Sequence, residues 1–107
     1  MIDPKLDAIL HTLRQELIQA LGRQLAQVVL YGSGARGEAR PDSDIDVLVV
    51  VNGEVDYPDL MRRTSAIIAE VSLRYDVVIS RTFASQNQFK TEQSPFLINV
   101  RREGITL

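Results

Sequence analysis

Two aspartates one residue apart, Asp44 and Asp46, stand at the head of the most apolar run in the chain, Ile45 to Val51. Residues two apart on a strand share a face, so the two carboxylates project together while Ile45 turns the other way. Asp76, in Tyr75-Asp76-Val77-Val78-Ile79, is expected at the head of a neighbouring strand and at the same level. Carboxylates that close repel one another unless a cation joins them. Hard oxygen ligands suit Mg²⁺, which takes one or two carboxylates per ion and fills its shell with water and phosphate oxygens. Upstream, Gly32-Ser33 opens a Gly-rich turn directly after Val28-Val29-Leu30-Tyr31. Backbone N–H groups and a hydroxyl at such a turn form a ready cradle for phosphate. Each feature alone has a plainer reading: solvated acids where a loop enters a strand, or a glycine needed for positive φ with a serine cap. Phosphate and a divalent cation are needed together, however, and their convergence favours chemistry on a phosphorylated substrate.

The elements that must position these groups can be read from periodicity. Asp3-Pro4 is a helix start, an N-cap oxygen before proline. Leu6, Ile9, Leu10, Leu13, Leu17 and Leu21 then repeat at helical spacing until Gly22. Val28 to Tyr31 reads as a first buried strand and Ile45 to Val51 as a second, ended by Asn52-Gly53. Residues 59–74 read as a second amphipathic helix, and 75–79 as a third strand. A polar helical stretch around 85–93, a short helix opened by Ser94-Pro95, and an edge strand at 105–107 complete the chain. A helix long enough to cross back over the sheet makes the second and third strands parallel. The short link through the Gly-rich turn makes the first strand antiparallel to the second. The expected fold is α/β of the α+β type, a small mixed sheet of three to four strands with helices packed on it. Asp44, Asp46, Asp76 and the Gly32-Ser33 turn then gather at one end.

Composition narrows the classes. The 107 residues suit a single domain, expected to span 1–107, and 45% hydrophobic with 24% charged residues is ordinary globular usage. A net charge of −2 argues against a protein whose main business is coating nucleic acid. Only Lys5 and Lys90 are lysines, the other basic residues being arginines, whose planar forks suit phosphate or carboxylate. There is no cysteine, so thiolate nucleophiles and thiolate metal sites are excluded. No apolar run reaches the ~20 residues of a membrane span, and the first residues do not resemble a signal peptide, so a cytoplasmic location is expected. His11, the only histidine, is expected at the surface of the first helix, and Tyr31 is expected to pack. Gly32-x-Gly34-x-x-Gly37 also matches the dinucleotide fingerprint, with Glu54 near the place of its acidic residue. That motif needs a crossover helix after its third glycine, whereas Pro41 and a second strand arrive within a few residues.

Gly32-Ser33, ten further residues and then Asp44-Ile45-Asp46 form the pattern G-S-x10-D-x-D. A chance match in a chain of this length is on the order of one in a thousand at average residue usage. The pattern resembles the signature of the DNA polymerase β-like nucleotidyltransferases. The flanking text, LYGSGARGEARPDSDIDVLVVV, is similar to the minimal nucleotidyltransferases (MNT), which include the MntA antitoxins of HEPN/MNT toxin–antitoxin pairs. The resemblance runs from the first helix to Arg101-Arg102-Glu103-Gly104. It implies transfer of AMP from ATP to a hydroxyl with release of pyrophosphate. It implies two Mg²⁺ ions held by Asp44, Asp46 and Asp76, with Asp76 as third carboxylate, and phosphates held by Gly32, Ser33 and Arg36, with Arg40 as a further candidate. It also implies a partner, a HEPN-type toxin whose tyrosine accepts the AMP, as the short chain holds little else to bind an acceptor. The second strand, apolar on both faces, is expected to leave one face for a second chain. Two other readings stand beside this: an antitoxin that binds nucleotide but acts by contact alone, and the core of a small-molecule nucleotidyltransferase.

Overall fold

The first helix begins at its capping residue. In the computed structural model, which describes residues 3–38, 40 and 43–107, the Asp3 carboxylate accepts from the backbone N–H groups of Lys5 at 3.1 Å and Leu6 at 3.2 Å. Helix α1 then runs Pro4–Leu21 and ends at Gly22 in positive φ. Strand β1, Leu25–Tyr31, starts earlier than its apolar run, because Leu25 and Gln27 pair with the far end of β2 across an irregularity at Ala26. Strand β2, Ile45–Val51, lies antiparallel to β1, with Tyr31 opposite Asp46. Helix α2, Tyr57–Tyr75, is capped by Asp56 and leads into β3, Ile79–Ser85, which pairs parallel to β2. Short helices α3, Gln86–Thr91, and α4, Pro95–Glu103, precede β4, Ile105–Thr106, antiparallel to β1. The sheet order is β3-β2-β1-β4, the mixed four-stranded sheet that the connection lengths require. The turn expected at Pro41 lies outside the described residues.

Alternation along β2 divides the core in two. Val47, Val49 and Val51 join Leu10, Leu13 and Leu17 of α1 and Leu60 and Val71 of α2 on one face. Leu48 and Val50 pack on the other face with Val29, Ala84, and Leu97 and Val100 of α4. This corrects one expectation: the second face of β2 does not await another chain but is covered by α4. Gly104 permits that approach, since a Cβ there would sit 2.6 Å from Val29 Cγ1. Each large apolar side chain fully removed from water contributes roughly 1.5–3 kcal/mol, so both layers are needed for a chain this short.

A second expectation fails at the third strand. The helix α2 does not stop at 74 but continues through Tyr75, whose hydroxyl meets Thr12 Oγ1 of α1 at 2.9 Å. Asp76 is therefore the C-cap of α2, in the left-handed region at φ 55° and ψ 54°, with its N–H donated to the Ser72 carbonyl. Aspartate is among the few side chains that tolerate this conformation. The strand begins three residues later, at Ile79. Among the described residues no helix is long and apolar enough to cross a membrane.

Candidate active site

The end of β1 and the head of β2 meet at a glycine. Gly32 has φ +73°, and a Cβ on it would lie 2.6 Å from the Asp46 Oδ2. The turn Gly32–Gly34 is thus pressed directly against the Asp46 carboxylate, and only glycine satisfies both its backbone angle and this contact. The turn is a single 3-10 turn in which Ala35 and Arg36 donate to the Gly32 carbonyl at 3.1 and 3.2 Å. Its first N–H groups have no partner within the turn. Ser33 sits here, half-buried, beside the carboxylate that Gly32 contacts.

Asp46 projects from the head of β2 on the face opposite Ile45, which is buried beneath α1, and Asp44 stands exposed just before the strand. Burial raises the Asp46 pKa from its ordinary value, and the neighbouring Asp44 charge raises it further. Among the described residues neither carboxylate has an ion-pair partner. An acid whose charge is disfavoured by its surroundings and by a neighbouring carboxylate, set against a Gly-Ser turn, fits one hard divalent cation carrying a nucleotide's phosphates.

The other expected site residues are placed differently. Asp76 does not join the pair: it is exposed at the end of α2, and among the described residues no three His, Cys, Asp or Glu side chains gather to hold a metal ion. The residue of β3 paired with Asp46 is Ser80. The sequence contained the signal for this, the alternation of Ile79, Arg81 and Phe83 with Ser80, Thr82 and Ala84, but the apolar run 77–79 obscured where it begins. Arg36 is ion-paired with Glu38 at 2.8 Å and reaches Glu103 at 3.5 Å, tying the turn to the end of α4; these carboxylates raise its pKa. Arg40 folds back on Ser43, its N–H donating to Ser43 Oγ at 2.9 Å. Tyr31 packs as expected, edge-on to Phe96 at 5.2 Å between ring centres, and burial foremost raises its pKa. His11 is exposed. A strand antiparallel to β1 follows the glycines, so the dinucleotide fingerprint has no structural counterpart and Glu54 lies in a loop. Beside Asp44, a cleft of about 450 Å³ opens between the start of α1 and the head of β2, with Leu6, Ile9 and Ile45 as floor and Lys5 and Arg40 at its rim.

A mixed sheet whose Gly-Ser turn abuts a D-x-D pair defines a nucleotidyl-transfer fold, and residues 10–104 match the nucleotidyltransferase domain family. The chain belongs to that family and is a nucleotidyltransferase. It is 30% identical to a protein of Methanocaldococcus jannaschii named "putative protein adenylyltransferase", over 91% of this chain and 93% of that one. Its fold is similar to that of a toxin–antitoxin solved with AMP-PNP, with a TM-score of 0.61 and 16% identity over 88% of this chain and 68% of the other. It is similar also to the toxin–antitoxin MntA–HpeT, with a TM-score of 0.56 and 16% identity over 87% of this chain and 68% of the other.

Proposed function

We propose that the chain, as one minimal nucleotidyltransferase domain, transfers AMP from ATP to a hydroxyl on a partner protein, a tyrosine of a HEPN-type toxin, which the modification silences. The observation that carries this is the close approach of the Gly32 turn to the Asp46 carboxylate, which supports a phosphate cradle set beside a cation site. Asp44 and Asp46 are the residues that would hold Mg²⁺ on the triphosphate. A cation held there would supply positive charge to offset that of the phosphates and of the departing pyrophosphate. Ser33 and the first N–H groups of its turn orient the triphosphate for in-line attack. The acceptor oxygen forms a bond to the α-phosphorus and gives its proton to water, the bond between the α-phosphorus and its bridging oxygen breaks, and pyrophosphate carries away the electron pair.

A protein acceptor is supported by the surface around the carboxylates. Val78, whose carbonyl accepts from the Ile45 N–H at the head of β2, is 59% exposed. An apolar group beside a charged site suits a macromolecular contact better than a small polar acceptor. The likeness to toxin–antitoxin assemblies supports the same partner class.

The test is to incubate the chain with ATP labelled at the α-phosphate, Mg²⁺ and the helical protein encoded beside it, and to map the label by mass spectrometry. Label on a tyrosine of that protein is the expected result. Label passing only to small hydroxyl compounds would replace the protein acceptor by a small-molecule one. Neutralisation of the partner in cells by an Asp44→Asn, Asp46→Asn double variant would show that contact alone suffices.

A further inference from the structure

On the face of the sheet that carries Asp46, three strands lie in register. Tyr31 of β1 flanks Asp46 on one side and Ser80 of β3 on the other. The alternation along β3 fixes which way Ser80 faces. Ile79 and Phe83 are buried with α1 and α2, and Arg81 donates from Nε to Thr64 Oγ1 of α2 at 2.7 Å. Ser80, Thr82 and Ala84 therefore face the opposite way, together with Asp46, Leu48 and Val50. Neighbouring strands lie about 4.8 Å apart, which makes Ser80 the β3 residue beside Asp46.

A pair of divalent cations ~3.5–4 Å apart shares ligands between them. Asp44, Asp46 and phosphate oxygens supply one ion. A second ion sharing Asp46 needs an anionic ligand on its far side, and the strand places an uncharged, exposed hydroxyl there. A neutral hydroxyl is a poor substitute for a carboxylate around a hard cation. The carboxylate that the sequence offered for this place, Asp76, caps α2 instead.

We infer that this chain alone holds one divalent cation with its nucleotide, and that Ser80 occupies the position where a carboxylate would build a second cation site. The inference rests on the nucleotidyl-transfer reading of the same site. Its test is a Mn²⁺ titration followed by electron paramagnetic resonance, with the whole chain in excess over a non-hydrolysable α,β-methylene ATP. The wild type is expected to saturate at one magnetically isolated ion per bound nucleotide. Ser80→Asp, an exposed substitution whose folding a thermal melt checks, is expected to take a second ion and give the broadened spectrum of a coupled pair. Asp76→Asn is expected to leave the wild-type spectrum unchanged.

A coupled pair in the wild type would overturn the inference. So would loss of an ion in Asp76→Asn, or a Ser80→Asp variant that still holds one. Absence of any protein-bound Mn²⁺ in the wild type would instead overturn the nucleotidyl-transfer reading, and the inference with it.

Discussion

Gly32 and Asp46 are the residues on which the site turns, and each carries a consequence for stability. Gly32→Ala introduces a side chain at φ +73° and 2.6 Å from the Asp46 Oδ2. The left-handed conformation alone costs roughly 1–2 kcal/mol, and the carboxylate must also move. A modest drop in melting temperature is expected, with a loss of transfer far larger than that drop explains. Comparing denaturant midpoints with transfer rates checks it; a variant of lowered stability and full activity would show that the contact does not position Asp46. For Asp46 the pKa is raised on folding, so the folded chain holds the proton more tightly than the unfolded chain. The cost of burying its charge is therefore present in full above the raised value and relieved as pH falls through it. In cation-free buffer at pH 7, Asp46→Asn should melt above the wild type. The gap should narrow through the acid range toward the ordinary aspartate value near ~3.9. Differential scanning calorimetry across pH reads it, and a gap that is absent at pH 7 or widens in acid would contradict it.

Among the elements, sequence pattern and structure part where helix gives way to strand. The first helix, the two central strands, their antiparallel and parallel pairing, and the closing edge strand were all legible, because caps and apolar periodicity agree there. The meeting of the Gly-Ser turn with Asp46 was legible for the same reason: a strand head follows a turn with no competing pattern. Residues 75–79 carry two compatible patterns, a helical one through Val71 and Tyr75 and an apolar run through Val77 and Val78. Tertiary packing decides, since Tyr75 reaches Thr12 of α1 and holds α2 for its last turn. Asp76 then serves the backbone. Asp76→Asn, which tolerates the left-handed region, is expected to leave stability and transfer near wild type. Asp76→Val should cost about 1–2 kcal/mol from the strained backbone. Equilibrium urea unfolding of the two variants separates them, and a loss of transfer in Asp76→Asn at full stability would return Asp76 to the site. The cover on the second face of β2 was not legible, because the pattern of an apolar strand does not say which helix packs on it.

For the molecule as a whole, helices on both sides of a four-stranded sheet occupy nearly all of the described chain in building the scaffold of the candidate site. The chain spans most of the length of its Methanocaldococcus relative but about two thirds of the toxin–antitoxin chains that share its fold. The turn and the two carboxylates that this scaffold presents are what the proposed transfer of AMP requires of it. The measurement that bears most directly on this account is transfer of α-labelled AMP by the wild type and by Asp44→Asn and Asp46→Asn, each verified as folded. Removing a ligand of a cation that stabilises the reaction by several kcal/mol should lower the rate on the order of 10²-fold or more. Mg²⁺-dependent transfer by the wild type, lost in both variants, is the predicted result. Transfer that persists undiminished in either variant would contradict it.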